Sequence, residues 1–304
     1  MIAPAQAAAA TEEKGLPIRS GTSLGSYGLA WRRFKRHRLA IVAGVVLAVL
    51  VLIIAIAPLF IPEEKANQAE PELILRSPSA QFPFGTDDVG RDILARALYG
   101  GRISLTIGAT AAFLGIGLGL VVGALAGYYG GVRDAALMRL ADAMLSMPSL
   151  LLLIVLGRIF GSSVPVLIAV IGGLSWMTVA RIVRGNVLSL REQDFVVAAR
   201  AIGADSRMVL LRHVVPNTLA PVIVAATLGV GNAILLEAGA SFLGLGIRPP
   251  TASWGSMLYR AQNVLDLAPW VAIFPGLLIL ITVLCINFLG DGLRDALDPR
   301  IRIE

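Results

Sequence analysis

Polar and ionisable side chains are scarce in the apolar stretches of this sequence, and the few that interrupt them mark where any chemistry must occur. Glu237 follows Leu235 and Leu236 at the end of a long apolar run. A carboxylate near lipid depth is costly and faces a cavity or a partner. Four roles fit it: contact with a solute, an outer gate, a partner for an arginine, or a cap at a helix break. Asn232 and Asn287 also lie within apolar runs. Amides there hydrogen-bond to neighbouring helices or to a passing solute. The sole cysteine, Cys285, and the two histidines, His37 and His213, exclude a disulfide framework, a cysteine metal site and a histidine cluster. No paired carboxylates occur at depth, so an acid–base or metal-assembled membrane enzyme is disfavoured. An ion-coupled secondary transporter is disfavoured too, because it buries several ionisable groups near mid-membrane.

The other informative segment is polar. It runs Arg191-Glu192-Gln193-Asp194-Phe195-Val196-Val197-Ala198-Ala199-Arg200-Ala201-Ile202-Gly203 and continues through Ala204 and Arg207 to Val214-Val215-Pro216. Residues 194–202 are helix-compatible, with Asp194 placed as N-cap. Ala199 and Gly203 are four apart and share a face without bulk, which lets another backbone come close. Two readings stand: a docking helix for a soluble partner, or a solvated loop.

Both features need a scaffold, and composition states what it is. Of the 304 residues, 56% are hydrophobic and 15% charged. Uncharged runs cover 39–61, 103–129, 159–180, 214–236 and 267–290. Each reaches the roughly 20 residues that a bilayer core requires of a helix, and in lipid only a helix satisfies the backbone of such a run internally. A sixth stretch, 135–157, carries Arg139 and Asp142 near its start. Counting it as a span puts most Lys and Arg on the side of the N-terminus, whereas omitting it divides them almost evenly. The positive-inside rule therefore predicts six spans with both termini cytoplasmic. The expected map is an all-α integral membrane protein with spans near 39–61, 103–129, 135–157, 159–180, 214–240 and 267–290. A tail of 1–38, partly disordered over 1–22, an inner loop of 181–213 and a tail of 291–304 lie inside. Residues 62–102 lie outside.

Further expectations follow from spacing. Gly108, Gly115, Gly119, Gly123 and Gly127 form a stripe for close helix packing. Ile93, Leu94, Ala97 and Leu98 suggest a short amphipathic helix resting on the outer membrane surface. Pro148, Pro221 and Pro275 fall within spans and mark candidate kinks. The formal charge of +6 fits arginines that flank spans rather than a nucleic-acid surface.

The segment Ala198-Ala199-x-x-x-Gly203, nine residues and then His213-Val214-Val215-Pro216 resembles the cytoplasmic coupling loop of ATP-binding-cassette importer permeases. Val197, His213 and Val215 stand where that family's signature has Glu, Ile and Leu. Phe84-Gly85-Thr86-Asp87-Asp88-Val89-Gly90-Arg91-Asp92 and Ser241-Phe242-Leu243-Gly244-Leu245-Gly246 resemble permeases of the dipeptide, oligopeptide and nickel branch, and Leu289-Gly290-Asp291-Gly292-Leu293-Arg294-Asp295-Ala296-Leu297-Asp298-Pro299-Arg300 is similar to its C-type subunit. The resemblance implies a permease in the bacterial inner membrane, with a sister permease, two cytoplasmic ATPase subunits and an external binding protein as partners, and peptides or another small solute as cargo. It implies that Asp194, Ala198, Ala199, Arg200, Gly203, Ala204 and Arg207 couple to an ATPase subunit, and that the outer loops receive the binding protein. ATP and Mg would belong to those ATPase chains, since the sequence contains no Gly-x-x-x-x-Gly-Lys-Ser/Thr phosphate loop.

Overall fold

The computed structural model describes residues 26–297. The expected disorder of 1–22 and the end of the last motif, 298–304, lie outside the described residues. Helices α1 (Ser26–Phe34) and α2 (Arg38–Ile56) come first. A stretch with one short helix, Glu63–Asn67, and two 3-10 turns then leads to α3 (Ile93–Tyr129), which is followed by α4 (Gly131–Leu145), α5 (Ser149–Phe160), α6 (Val164–Gly173) and α7 (Trp176–Leu190). After the short α8 (Asp194–Ala201) come α9 (Ser206–Phe242), α10 (Trp254–Ala261) and α11 (Trp270–Leu297). Five helical stretches are long and apolar enough to cross a membrane, and the bent pair α4–α5 makes a sixth if counted as one span.

Three boundaries differ from the sequence expectation. Residues 93–98 are the first turns of α3, not a separate helix on the membrane surface. Ile93 and Ala97 are buried beside Trp254 and Ile54, so the apolar face of this segment serves the core. Asp92 starts the helix, its Oδ1 accepting from the N–H groups of Leu94 (2.9 Å) and Ala95 (3.2 Å). The fourth span is α6 and α7 together and extends to Leu190, so 181–190 is helix rather than loop. Helix α9 starts at Ser206, ahead of the expected 214, and passes through a π turn at Leu210–Val214. The 135–157 stretch is bent by 87°. Its break falls at Ser146–Pro148, where proline removes an N–H and disfavours helical backbone at the residue before it. Pro221 and Pro275 stay inside unbroken helices.

The glycine stripe packs within the chain. A Cβ at Gly119 would lie 2.7 Å from the Trp176 carbonyl oxygen, and one at Gly127 would lie 2.9 Å from that of Arg184. Gly115 and Gly123 meet α6–α7 in the same way, while Gly108 faces Ile234 of α9. Without side chains, the backbones of α3 and α7 close to direct contact. Asp134 of α4 adds an ion pair, its Oδ2 accepting from Arg184 Nη2 at 2.6 Å. Asp142 accepts from Arg181. We expect Gly119→Val to lower the melting temperature and the yield of folded protein, since overpacking costs about 1–3 kcal/mol. Gly117, with open space around its Cβ position, provides the control: Gly117→Val should change neither reading in a thermal-shift assay.

Candidate functional site

The candidate residues fall at one end of the bundle, around α8, in a groove along α9, and in the packed interior that holds Glu237 and Asn287.

Helix α8 stands at the end where α7 stops and α9 begins. Val196 anchors it, fully buried against Val183, Val187, Val209 and Val214. Ala199 and Ala204 pack partly buried on the same cluster. The Arg200 guanidinium lies 5.0 Å from the centroid of the Tyr128 ring at the end of α3, a cation–π contact. Arg191 Nη1 donates to the Gly127 carbonyl at 3.3 Å. The helix therefore follows the α3–α7 unit rather than floating in a loop.

Its termination explains Gly203. The Ala204 N–H donates to the Ala199 carbonyl (3.1 Å) and the Gly203 N–H to that of Arg200 (2.9 Å). Those two bonds form a Schellman turn, whose C′ residue is left-handed. Gly203 has φ +86°. It does not share a helical face with Ala199, as spacing suggested, because the helix has already ended. A Cβ there meets no atom of the chain within 4 Å. Asp194 is likewise not the N-cap. Gln193 holds that position without a side-chain bond, and Asp194 is the first helical residue, where its charge complements the helix dipole.

The expected coupling residues thus divide. Ala199, Arg200 and Ala204 bind α8 to the bundle. Asp194, Ala198, Gly203 and the side chain of Arg207 face outward. Phe195 and Ile202, absent from the sequence expectation, complete the outward face, Ile202 being 86% exposed. Val196 was also missed, although its spacing to Ala199 and Arg200 marks it as the inward side of α8.

The groove consists of two adjoining hollows of about 570 and 580 Å³ that share Ile182, Ala225 and Leu228. Asn232, Ser175 and Thr178 line the first, and Asn186, Asn217 and Arg294 line the second, nearer α8. Asn232 therefore faces open space. Asn287 does not line the groove; its Oδ1 sits opposite Gly231, between α9 and α11.

Glu237 lines nothing. It is fully buried. Its Oε1 accepts from Ser241 Oγ and Ser253 Oγ, both at 2.7 Å, and its Oε2 accepts from Ser104 Oγ at 3.2 Å. Each serine in turn accepts from a backbone N–H: that of Ile247, Ser256 and Trp254 respectively. The expected gate or pathway residue is thus a sealed junction of α3, α9 and α10. None of the four roles read from sequence includes hydroxyl partners, and three serines spread over 150 residues give no local signal.

At the end of the bundle opposite α8, the 85–92 segment folds around charge. Asp87 accepts from Arg91 Nε at 2.8 Å. Asp88 accepts from Arg260 Nη1 at 3.0 Å. Buried Arg96 donates to the Ala66 carbonyl at 3.0 Å.

Residues 119–303 match the model of the binding-protein-dependent transport system inner membrane component. Residues 26–78 match the N-terminal transmembrane domain of oligopeptide transport permease C. The chain is 43% identical to a peptide permease protein of Brucella suis over 93% of this chain and 94% of that one. It is 42% identical to the glutathione transport system permease protein GsiD of Escherichia coli over 90% of each. Among solved structures, the methionine transporter MetNI, an ATP-binding-cassette protein, gives a TM-score of 0.54 at 22% identity, covering 68% of this chain and 96% of that one.

Proposed function

Because the chain belongs to the family of binding-protein-dependent transport inner membrane components, and is a multi-pass permease subunit of an ATP-binding-cassette importer, we propose that it carries peptides across the inner membrane, driven through α8 by separate ATPase subunits. The observation that carries the coupling part is the division of α8. One side is fixed to the bundle by Val196 and Arg200, and the other presents Phe195, Ala198 and Ile202 to solvent. A soluble domain closing on that face would move α7 and α9, because α8 connects them.

On this reading α8 faces the cytoplasm, two ATPase subunits bind ATP and Mg, and a sister permease covers the groove along α9. The groove suits cargo with polar ends and apolar parts: Asn186, Asn217, Asn232 and Arg294 alternate with Ala225 and Leu228. An external binding protein delivers the cargo, and the names of the Brucella and Escherichia relatives favour a short peptide.

The test is reconstitution. The chain, expressed with its sister permease and ATPase subunits, should purify as one complex. In proteoliposomes it should take up a labelled short peptide only with ATP and binding protein present. A stable, folded chain that brings down no ATPase subunit would overturn the coupling role. Uptake independent of ATP would overturn the importer mechanism.

A further inference from the structure

A pocket of about 120 Å³ opens between the 241–251 segment, α10 and Arg96 of α3, at the end of the bundle opposite α8, and Arg96, Arg248, Arg260, Ser256 and Tyr259 give it its polar wall. We propose that it binds a carboxylate arriving from outside, and this rests on the importer reading above.

The charge balance is the argument. Three guanidinium groups line it, those of Arg96, Arg248 and Arg260, with Arg91 behind them, against the carboxylates of Asp87 and Asp88; the Glu237 carboxylate lies behind Ser241 of the wall and is taken up by three serine hydroxyls. Asp92 is already engaged, capping α3 and lying 3.7 Å from Lys65 Nζ. Asp87 is committed to Arg91 at 2.8 Å, and Asp88 is shared between Arg260 at 3.0 Å and Arg91 at 3.9 Å. Arg96, only 3% exposed, has a share in Asp87 at 3.8 Å and otherwise donates to neutral oxygens. Arg91 Nη2 is buried without a hydrogen-bond acceptor, the nearest carboxylate being Asp88 Oδ1 at 3.9 Å. A buried cation short of counter-charge is costly, and an anion in the pocket relieves it.

The open wall is ready for such a group. Arg248 is exposed, and neither it nor the Tyr259 hydroxyl has a hydrogen-bond or ionic partner among the described residues. Guanidinium forks match carboxylate geometry with two parallel N–H donors. The volume takes one carboxylate with a few waters, not a whole solute, at about 30 Å³ per water. The carboxylate is therefore the end of something larger: an acidic side chain of the binding protein, or the C-terminal carboxylate of a peptide as it is handed over.

The experiment uses the full complex in proteoliposomes. ATP-driven, binding-protein-dependent uptake by the wild-type complex tests the importer reading, so a failure there is separate from a failure of the pocket. Arg248→Gln is then compared at equal subunit content and equal basal ATPase. Losing one charged fork predicts that the half-saturating concentration of binding protein rises at least about fivefold, placing the carboxylate on that protein. Alternatively, half-saturation holds and the preference for a free-acid dipeptide over its amide shrinks at least about fivefold, placing it on the cargo. If neither quantity moves, the proposal falls. Arg248 has no partner among the described residues, so its loss orphans no group there, and Arg248→Ala provides an independent second variant.

Discussion

Gly203→Leu is expected to leave the chain inserted and assembled, yet abolish binding-protein-stimulated ATP hydrolysis and uptake. The structure gives this result a different cause from the one that spacing suggests. No atom of the chain lies near the position of a Cβ at 203, so crowding inside the subunit is not the issue. The backbone is: φ at Gly203 is +86°, and an L side chain in the left-handed region costs roughly 1–2 kcal/mol. A leucine pulls the Ala204–Ala199 and Gly203–Arg200 bonds toward another turn and so re-aims Phe195 and Ile202 on the outward face. Gly203→Asn separates turn geometry from surface bulk, because asparagine tolerates the left-handed C′ position. We expect the asparagine variant to keep most of its coupled ATPase activity. Loss in both variants would move the requirement to a close-fitting partner surface. Normal uptake by a correctly assembled Gly203→Leu complex would remove α8 from the coupling route.

Glu237→Leu should produce a large loss of stability. It leaves three buried hydroxyl donors, on Ser104, Ser241 and Ser253, without their shared acceptor. An orphaned buried polar group costs about 1–3 kcal/mol. Interhelical hydrogen bonds in membranes average nearer ~0.6 kcal/mol, so we expect a total of about 2–4 kcal/mol. The readout is the melting temperature of the purified complex. Glu237→Gln should lose less than about 1 kcal/mol, since its amide oxygen keeps two of the donors and Ser104 can accept from the new NH₂ group. If the glutamine variant also melts early, the ionised carboxylate itself is required. If the leucine variant assembles with wild-type stability but transports poorly, Glu237 belongs to the pathway after all.

Much of the fold was legible because lipid leaves few options. Long uncharged runs must be helices, and the glycine spacing of α3 announced a close approach. The ends of elements were less legible. Tyr99, the Gly100-Gly101 pair and Arg102 separate 93–98 from the uncharged run that follows, so an amphipathic start looked like a surface helix until Trp254 appeared behind it. Residues 181–190 carry Arg181 and Arg184 and so read as loop. Their partners, Asp142 and Asp134, lie on another helix about 40–50 positions back. Ion pairs of that separation are invisible to a linear reading, and so are the serines around Glu237. At α8 the helix itself was readable, but its two sides were assigned the wrong way round at Ala199. The inward side is set by Val196 and Tyr128, which are remote in sequence and joined only by packing.

The glycine stripe has a mechanical consequence. A helix interface built from side chains has compliance, because rotamers can shift and absorb displacement before the backbone moves. The contact between α3 and α7 has almost none at Gly115, Gly119, Gly123 and Gly127, where backbone meets backbone or the first carbon of a side chain. The two helices therefore form one stiff rod. The fourth span, 27 residues with its break at Leu174–Ser175, is about 40 Å long at 1.5 Å per residue, and α8 is attached at its end. A push of an ångström on Phe195 and Ile202 is delivered along that rod with little damping, so the stroke at the opposite end is set by geometry rather than by the softness of a core.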